Sequence, residues 1–322
     1  MEKFSYSKLN TFDQCPYKYK LVYLDGYRSE ESTIALDLGS TAHKGKELWG
    51  EYLRDNQEPD LEYIMKILKN GIEYWKIVIV NGIEIENVLE ENILGIDEIK
   101  SKHFDSYFEK CNKSGMTYDE KFDIYLKNLK NKELPDEWKV LDVEKDFSFI
   151  YQDKYKLTGF IDRIDINQNG ELRVVDYKTS KDIYKPDKLA TPLQMFIYTL
   201  ACEYLYGKQP VEHVYDFIFL DQVQNACTKG YYNRGLKKLD KLLNAVELCV
   251  NKEEFIPKPA PLCYWCSFCK NTPLSDPKLN HLCDYYSLWT PNDKRFDVNK
   301  KWGDFTEKKE VKDKEPKKEF VW

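Results

Sequence analysis

What the sequence lacks narrows its reading first. It has no run of about 18 apolar residues, so no membrane-spanning helix and no membrane partner are expected. The opening MEKFSYSKLN has no apolar stretch of the kind a secretory leader carries, and a cytoplasmic setting is expected. Histidine is scarce, 4 residues in 322, which leaves few imidazoles for a metal. No internal repeat, helix-turn-helix pattern, histidine-bearing zinc finger or basic arm is visible, so no dedicated base-reading module is expected. The formal net charge of −6 argues against nonspecific coating of nucleic acid, while leaving room for a local basic groove.

What is present supports a folded enzyme-sized chain. Apolar residues make up 42% and aromatics 15%, enough for a core in one large or two small domains. The stretch from Gly159 to Ser180, GFIDRIDINQNGELRVVDYKTS, reads as the centre of the fold. Tyr155 to Ile166 predicts one strand and Glu171 to Thr179 a second, joined by a turn at Asn167–Gly170, where Asn-Gly supplies positive φ. Alternation places Asp176 and Lys178 on one face and Tyr177 on the other, with Asp162 of the partner strand in reach. Two carboxylates and an ammonium at one sheet edge are unfavourable unless something uses them. Mg²⁺ takes such hard oxygen ligands, and the lysine can stabilise an attacking water or a charged phosphate.

The flanking segments predict mostly helices. Ser7 reads as the cap of a short helix holding Leu9 and Phe12. Cys15-Pro16 ends it, with Pro16 starting a second helix that Gly26 closes. Gly39-Ser40 opens a helix to Arg54, on which His43 and Glu47 share a face. Residues 55 to 137 read as a mainly helical insertion. Leu61, Ile64, Met65 and Leu68 repeat at helical spacing, and Asp119 to Lys130 forms another helix. KNGIEYWKIVIVNGIE fits helix or strand alike. Trp138 to Tyr151 predicts the strand before the central pair and Asp182 to Lys188 a loop. Ala190 to Tyr206 reads as a helix carrying Gln194 and Tyr198 four apart, Val214 to Leu220 as a strand and Lys237 to Val250 as a helix. From about residue 291 the chain turns charged and low in apolar content, an expected flexible tail.

Cysteine is the exception to this scarcity of metal ligands. There are nine, and in a reducing compartment they point to metal or cluster ligation rather than disulfides. Cys263, Cys266 and Cys269 are spaced by two residues each, with Cys283 after a polar insert. Four clustered thiols could hold zinc alone and leave Cys15 free.

In order, Cys15-Pro16, Gly39 with His43, Gly159-x2-Asp162, Asp176-x-Lys178, Gln194-x3-Tyr198 and the late cysteines resemble the PD-(D/E)XK nuclease superfamily. The likeness is to its RecB/AddB-like branch with an iron–sulfur cluster, which includes CRISPR-associated and phage-encoded exonucleases. It extends to about residue 290. It implies an α+β (α/β) fold: a restriction-endonuclease-like core with a small mixed sheet flanked by helices, plus the helical insertion, in one domain over 1–290. It implies Mg²⁺ or Mn²⁺ on His43, Asp162, Asp176 and the Tyr177 carbonyl, with Lys178 as the catalytic lysine. Gln194 and Tyr198 would position that lysine and the substrate; Asp165 lies in the same hairpin, but the spacing favours Asp162. It also implies a [4Fe–4S] cluster on one early and three late cysteines.

The family's last cysteine would fall at position 272, which is threonine. The ligands expected are therefore Cys15, Cys263, Cys266 and Cys283, with Cys269 in reserve and zinc as the alternative metal. Such a cluster would tie the first helix to the C-terminal region, so cysteines 263–283 are expected to join Cys15. The implied activity is a metal-dependent DNA exonuclease in recombination, repair or phage DNA processing. Its substrate would be single-stranded DNA or DNA with free ends, alongside a recombination or helicase partner, in a bacterium or a phage-infected cell. A structure-specific endonuclease and a non-catalytic DNA-binding scaffold are the alternatives.

Overall fold

The structure, a computed structural model, describes residues 2–283 apart from 30–31, 81–82, 110–114, 132–133, 136, 181, 191, 227–230 and 271–274, and for residues 75–91, 131, 231 and 261 the backbone alone. The expected tail from 291 lies outside the described residues. Two compact units emerge where the sequence reads as one domain: Met1–Asp13 with Glu30–Glu254, and Gln14–Ser29 with Phe255–Trp322.

The larger unit opens with a two-residue strand β1 (Lys3–Phe4) and helix α1 (Tyr6–Gln14). The cap of α1 is Ser5 rather than Ser7: Ser5 Oγ accepts from the Lys8 amide at 3.2 Å, and the Ser7 hydroxyl pairs with Ser5 instead. The chain then passes into the smaller unit, where Cys15 caps α2 (Pro16–Tyr19), its sulfur accepting from the Lys18 amide. α2 runs on into a wider π turn over Lys20–Leu24.

Helix α3 (Ile34–Arg54) starts five residues before Gly39, because Thr33 caps it through the Leu36 amide. Gly39 is thus an interior position. The region 55–137 contains α4 (Leu61–Asn70), α5 (Ile96–Lys102), α6 (Phe104–Phe108) and α7 (Tyr118–Asn131). It also contains an antiparallel hairpin, β2 (Gly71–Val80) with β3 (Ile83–Leu94), so the segment of ambiguous periodicity is strand and the insertion is helical only in part.

The main sheet has six strands. β4 (Trp138–Tyr151), β5 (Tyr155–Asn167) and β6 (Leu172–Lys178) are the expected antiparallel set. In the turn before β6, Asn167 Oδ1 accepts from the amides of Asn169 and Glu171, and Gly170 takes φ 74°. The short helix α8 (Pro186–Ala190), in a stretch expected as loop, and the apolar helix α9 (Leu193–Tyr206) lead to β7 (Pro210–Phe217), which runs parallel to β6. β8 (Gln222–Asn225) closes the far edge, and α10 (Tyr231–Lys252) ends the unit. A small mixed sheet flanked by helices is therefore present. Its core joins Leu38, Ala42 and Trp49 of α3 and residues of α4, α5 and α7 to Val175 and Tyr177 of β6.

One topological detail positions everything that follows. β4 pairs along nearly the whole of β5 on one side. On the other side β1 pairs only with Lys156 and Leu157, and β6 only with Arg163 to Ile166. Between them, residues 158–162 have no ladder partner on that edge among the described residues. The sheet is split there.

The smaller unit packs Leu21 with Cys266, Phe268, Cys269, Leu279 and Cys283. The Tyr17 hydroxyl donates to the Leu282 carbonyl at 3.1 Å, and Ser29 Oγ to Asp276 Oδ2 at 2.9 Å. No helix among the described residues is long and apolar enough to cross a membrane.

Candidate active site

The split in the sheet gathers the sequence-predicted residues of the larger unit. At its rim, Asp162 Oδ2 accepts from the Tyr177 amide at 2.7 Å, a backbone donor beyond the end of the β5–β6 ladder. His43 of α3 brings Nδ1 to 3.8 Å from the same oxygen. The His43 ring stands edge-on to Tyr177, whose own ring is buried toward α3.

On the opposite face of β6, Asp176 and Lys178 form an ion pair. Lys178 Nζ also donates to Gln194 Oε1 at 3.0 Å, Gln194 Nε2 donates to the Tyr198 hydroxyl at 2.9 Å, and that hydroxyl donates to Asp176 Oδ1 at 3.4 Å. The four side chains make a closed circuit. Gln194 and Tyr198 can both join it because four residues on α9 is about one turn.

Tyr198 is backed edge-to-face by Phe147 of β4. A side chain at Gly159 would put its Cβ 2.8 Å from the Phe147 ring, so the glycine of the Gly159-x2-Asp162 pattern is the space that ring occupies. Burial pushes the Asp176 carboxyl above its ordinary value, and Asp162 adds to this against the pull of Lys178. Burial works against the Lys178 ammonium too, but Asp176 outweighs it and holds the lysine more firmly protonated than usual. The pair stabilises itself only while both members are present.

One residue of the site escapes a reading of the sequence. Glu144 of β4 stands opposite Asp162, at a left-handed φ of 43° in mid-strand. The Glu144 and Asp162 carboxylates and the His43 ring offer ligand atoms that all lie within 4.8 Å of one another. Burial raises the Glu144 pKa to about 8, with Asp162, Glu47 and Asp176 adding their repulsion. A Glu144 carboxyl whose ionisation is resisted until positive charge arrives, beside the Asp162 carboxylate and the His43 ring, fits a hard divalent cation. The cleft in front has a volume of about 740 Å³ and is lined by His43, Lys44, Glu47, Glu144, Phe160 and Asp162 among others. The only hint in the sequence was the acidic alternation Asp142, Glu144, Asp146, which does not say which member bends inward.

Asp165, the other acid of the hairpin, is engaged elsewhere. It is fully buried between Arg163, at 2.9 Å, and Arg173, at 2.7 Å. Arg163 in turn donates to the Tyr177 hydroxyl at 2.8 Å. This charge cluster braces β5 against β6 from the α3 side. Buried His213 likewise pairs through Nε2 with Thr199 Oγ1 at 2.8 Å, and His103 lies 2.8 Å from Asp37.

The smaller unit gathers the cysteines. Cys15, Cys263, Cys266, Cys269 and Cys283 line one cavity of about 40 Å³. The Cys269 thiol sits against Cys263, Cys266 and Cys283 in this cavity. That contact, against the opposing effect of burial, holds Cys263 and Cys266 below the ordinary thiol value, whereas burial pushes Cys15 above it. Two thiols that ionise readily, gathered with three more in one cavity, form a donor set that suits a soft metal centre. The cavity brings in Cys269, the reserve ligand, on the same footing as Cys283.

The sequence model of the PD-(D/E)XK nuclease superfamily matches residues 3–80 and 86–270. Among curated proteins, a subunit of the ATP-dependent helicase/deoxyribonuclease of Clostridium perfringens is 30% identical over 208 residues, in strains SM101, ATCC 13124 and 13 alike. The alignment covers 59% of this chain and only 16% of those relatives.

Proposed function

Since the chain belongs to the PD-(D/E)XK nuclease superfamily, we propose that it is a metal-dependent deoxyribonuclease acting from DNA ends. The observation that carries this reading is the closed circuit of Asp176, Lys178, Gln194 and Tyr198 beside the His43–Glu144–Asp162 group. A scaffold protein has no use for a buried acid–lysine pair held in register with a second carboxylate.

His43, Asp162, Asp176 and the Tyr177 carbonyl would hold Mg²⁺ or Mn²⁺, with Glu144 as a further carboxylate. When bound, the ion supplies Lewis acidity toward a phosphoryl oxygen and makes water a stronger nucleophile at neutral pH. The chain's own residues supply the rest. Lys178 presents a fixed positive charge where negative charge grows on the phosphate. Gln194 and Tyr198 hold that ammonium and Asp176 at one separation, so little reorganisation accompanies the reaction. Asp162, oriented by the Tyr177 amide, stays aimed across the split. Water adds across one P–O bond, leaving a phosphate on one product and a hydroxyl on the other.

In the smaller unit we assign a [4Fe–4S] cluster to Cys15, Cys263, Cys266 and Cys283, with Cys269 the remaining candidate and zinc the alternative metal. Its role is structural: it joins segments distant in sequence, which restricts the unfolded chain most. The relatives' printed name joins a helicase to a deoxyribonuclease, and a separate helicase is the partner this chain would serve, in bacterial or phage DNA recombination or repair. The setting is the cytoplasm.

The deciding assay is a time course with Mn²⁺ on end-labelled linear DNA and on covalently closed circles, single- and double-stranded. Linear DNA shortens progressively while circles survive. Circles nicked as fast as linear DNA is shortened would replace the exonuclease with a structure-specific endonuclease.

A further inference from the structure

We propose that Phe160 is the platform on which an unpaired base of the substrate stacks, so that it positions the strand being cut and favours single-stranded over duplex DNA. This rests on the nuclease reading above and adds to it a substrate class and a residue that holds it.

Phe160 lies on β5 two positions from Asp162, within the stretch that has no ladder partner on one edge. Its register partner on β4 is Asp146. Phe160 is 61% exposed, although Leu157, Ile161 and Ile164 of the same strand are fully buried. Single exposed apolar side chains are ordinary, so the exposure alone carries nothing. Its location does.

Two clefts meet at this ring. One, of about 740 Å³, holds His43, Glu144 and Asp162; the other, of about 590 Å³, is lined by Lys3, Lys156, Gln194 and Tyr198. Phe160 is the residue that lines both. A strand laid along the split would therefore pass over Phe160 between the carboxylates and the two lysines of the second cleft. Bases offer a π-face whatever their identity, and an aromatic platform holds them without reading sequence. In a duplex that face is already stacked and paired, so the contact is available to an unpaired strand only. The lysines attract phosphates on the second-cleft side, away from the Glu144 and Asp162 carboxylates of the first cleft.

The test compares Phe160→Ala, Phe160→Leu and Phe160→Tyr with the wild-type chain on single-stranded oligo(dT). KM is expected to rise about tenfold in the Ala and Leu variants, with kcat within about twofold, and to return to near wild type in the Tyr variant. Leu keeps apolar bulk at an exposed position and so reports loss of the ring rather than loss of fold. In a Lys178→Ala background, 2-aminopurine walked along oligo(dT) should show one position quenched on binding, with the quenching lost when Phe160→Leu is added. Wild-type cleavage together with unchanged KM and unchanged quenching in Phe160→Leu overturns this inference alone. Absence of any DNA cleavage by the wild-type chain overturns the nuclease reading beneath it.

Discussion

Lys178 and Gln194 are joined through Nζ and Oε1 at 3.0 Å, so β6 and α9 meet at the charged centre of the site. The lysine cannot swing toward solvent without breaking that bond and its ion pair with Asp176. Gln194 is held in turn by Tyr198. The geometry makes a flexible side chain behave as a fixed one, which is what electrostatic stabilisation of a transition state requires.

Removing members of this circuit should therefore have graded effects. Lys178→Ala is expected to lower kcat by at least about 10²–10³-fold, the range found when one stabilising donor is deleted. Asp176→Asn should do the same. Gln194→Ala and Tyr198→Phe should each lower kcat less, and the double variant should fall short of the product of the two, because they support one lysine. Steady-state kinetics on linear DNA, with circular dichroism as the control for fold, measure all five variants.

Glu144 gives a pH signature. Its folded pKa of about 8 lies above the ordinary glutamate value of 4.5. In that window the folded chain holds a proton that the unfolded chain has lost, so stability declines as pH rises from about 4.5 to 8. In metal-free protein Tm should fall across this range, and Mn²⁺ at pH 8 should restore it. Glu144→Gln, which does not ionise, should show a shallower decline and a smaller gain from Mn²⁺. Equal Mn²⁺ gains in both proteins would remove Glu144 from the metal site.

His213 predicts the opposite limb. Burial lowers its pKa from 6.5 to about 4, so between these values the unfolded chain takes a proton that the folded chain refuses. Stability is full above 6.5 and declines as pH falls. At pH about 5 this group alone accounts for roughly 2 kcal/mol. Urea unfolding at neutral and at mildly acid pH should show that much less acid sensitivity in His213→Gln than in the wild-type chain.

The cysteine cavity is tested by colour and composition. Protein purified without oxygen is expected to be brown and to contain iron. Cys15→Ala should bleach it and lower its Tm by several degrees. Stoichiometric zinc in a colourless protein, unchanged by Cys15→Ala, would assign the metal to the four later cysteines instead.

Most of the central sheet and the residues of the split were legible because they are local. Asn167–Gly170 writes its own turn, and alternation on β6 separates Asp176 and Lys178 from Tyr177. Gln194-x3-Tyr198 declares a helical face. What stayed hidden depends on distant partners. Glu144 becomes a site residue only through its register with β5 and a backbone bend that no side-chain pattern encodes. The hairpin of β2 and β3 has an apolar run compatible with either period. The early start of α3 turned on preferring Thr33 over Gly39-Ser40 as the cap. Two residues at Lys3–Phe4 are too few to signal a strand, yet they define one side of the split. Spacing to the missing cysteine at 272 puts Cys269 in reserve, and only the folded chain shows that it lines the same cavity as the other four.

The partnerless edge at 158–162 also has a consequence for how the chain breathes. In a typical sheet the central strand is the last to open, and its amides exchange with solvent most slowly. Here a long inner strand carries a gap in its middle, bounded by the β1 and β6 ladders. Amide protection along β5 should therefore dip between two maxima, leaving the rim of the candidate site easier to open than either of its flanks, and a nucleic acid seated there would slow deuterium uptake at a place where the fold itself does not.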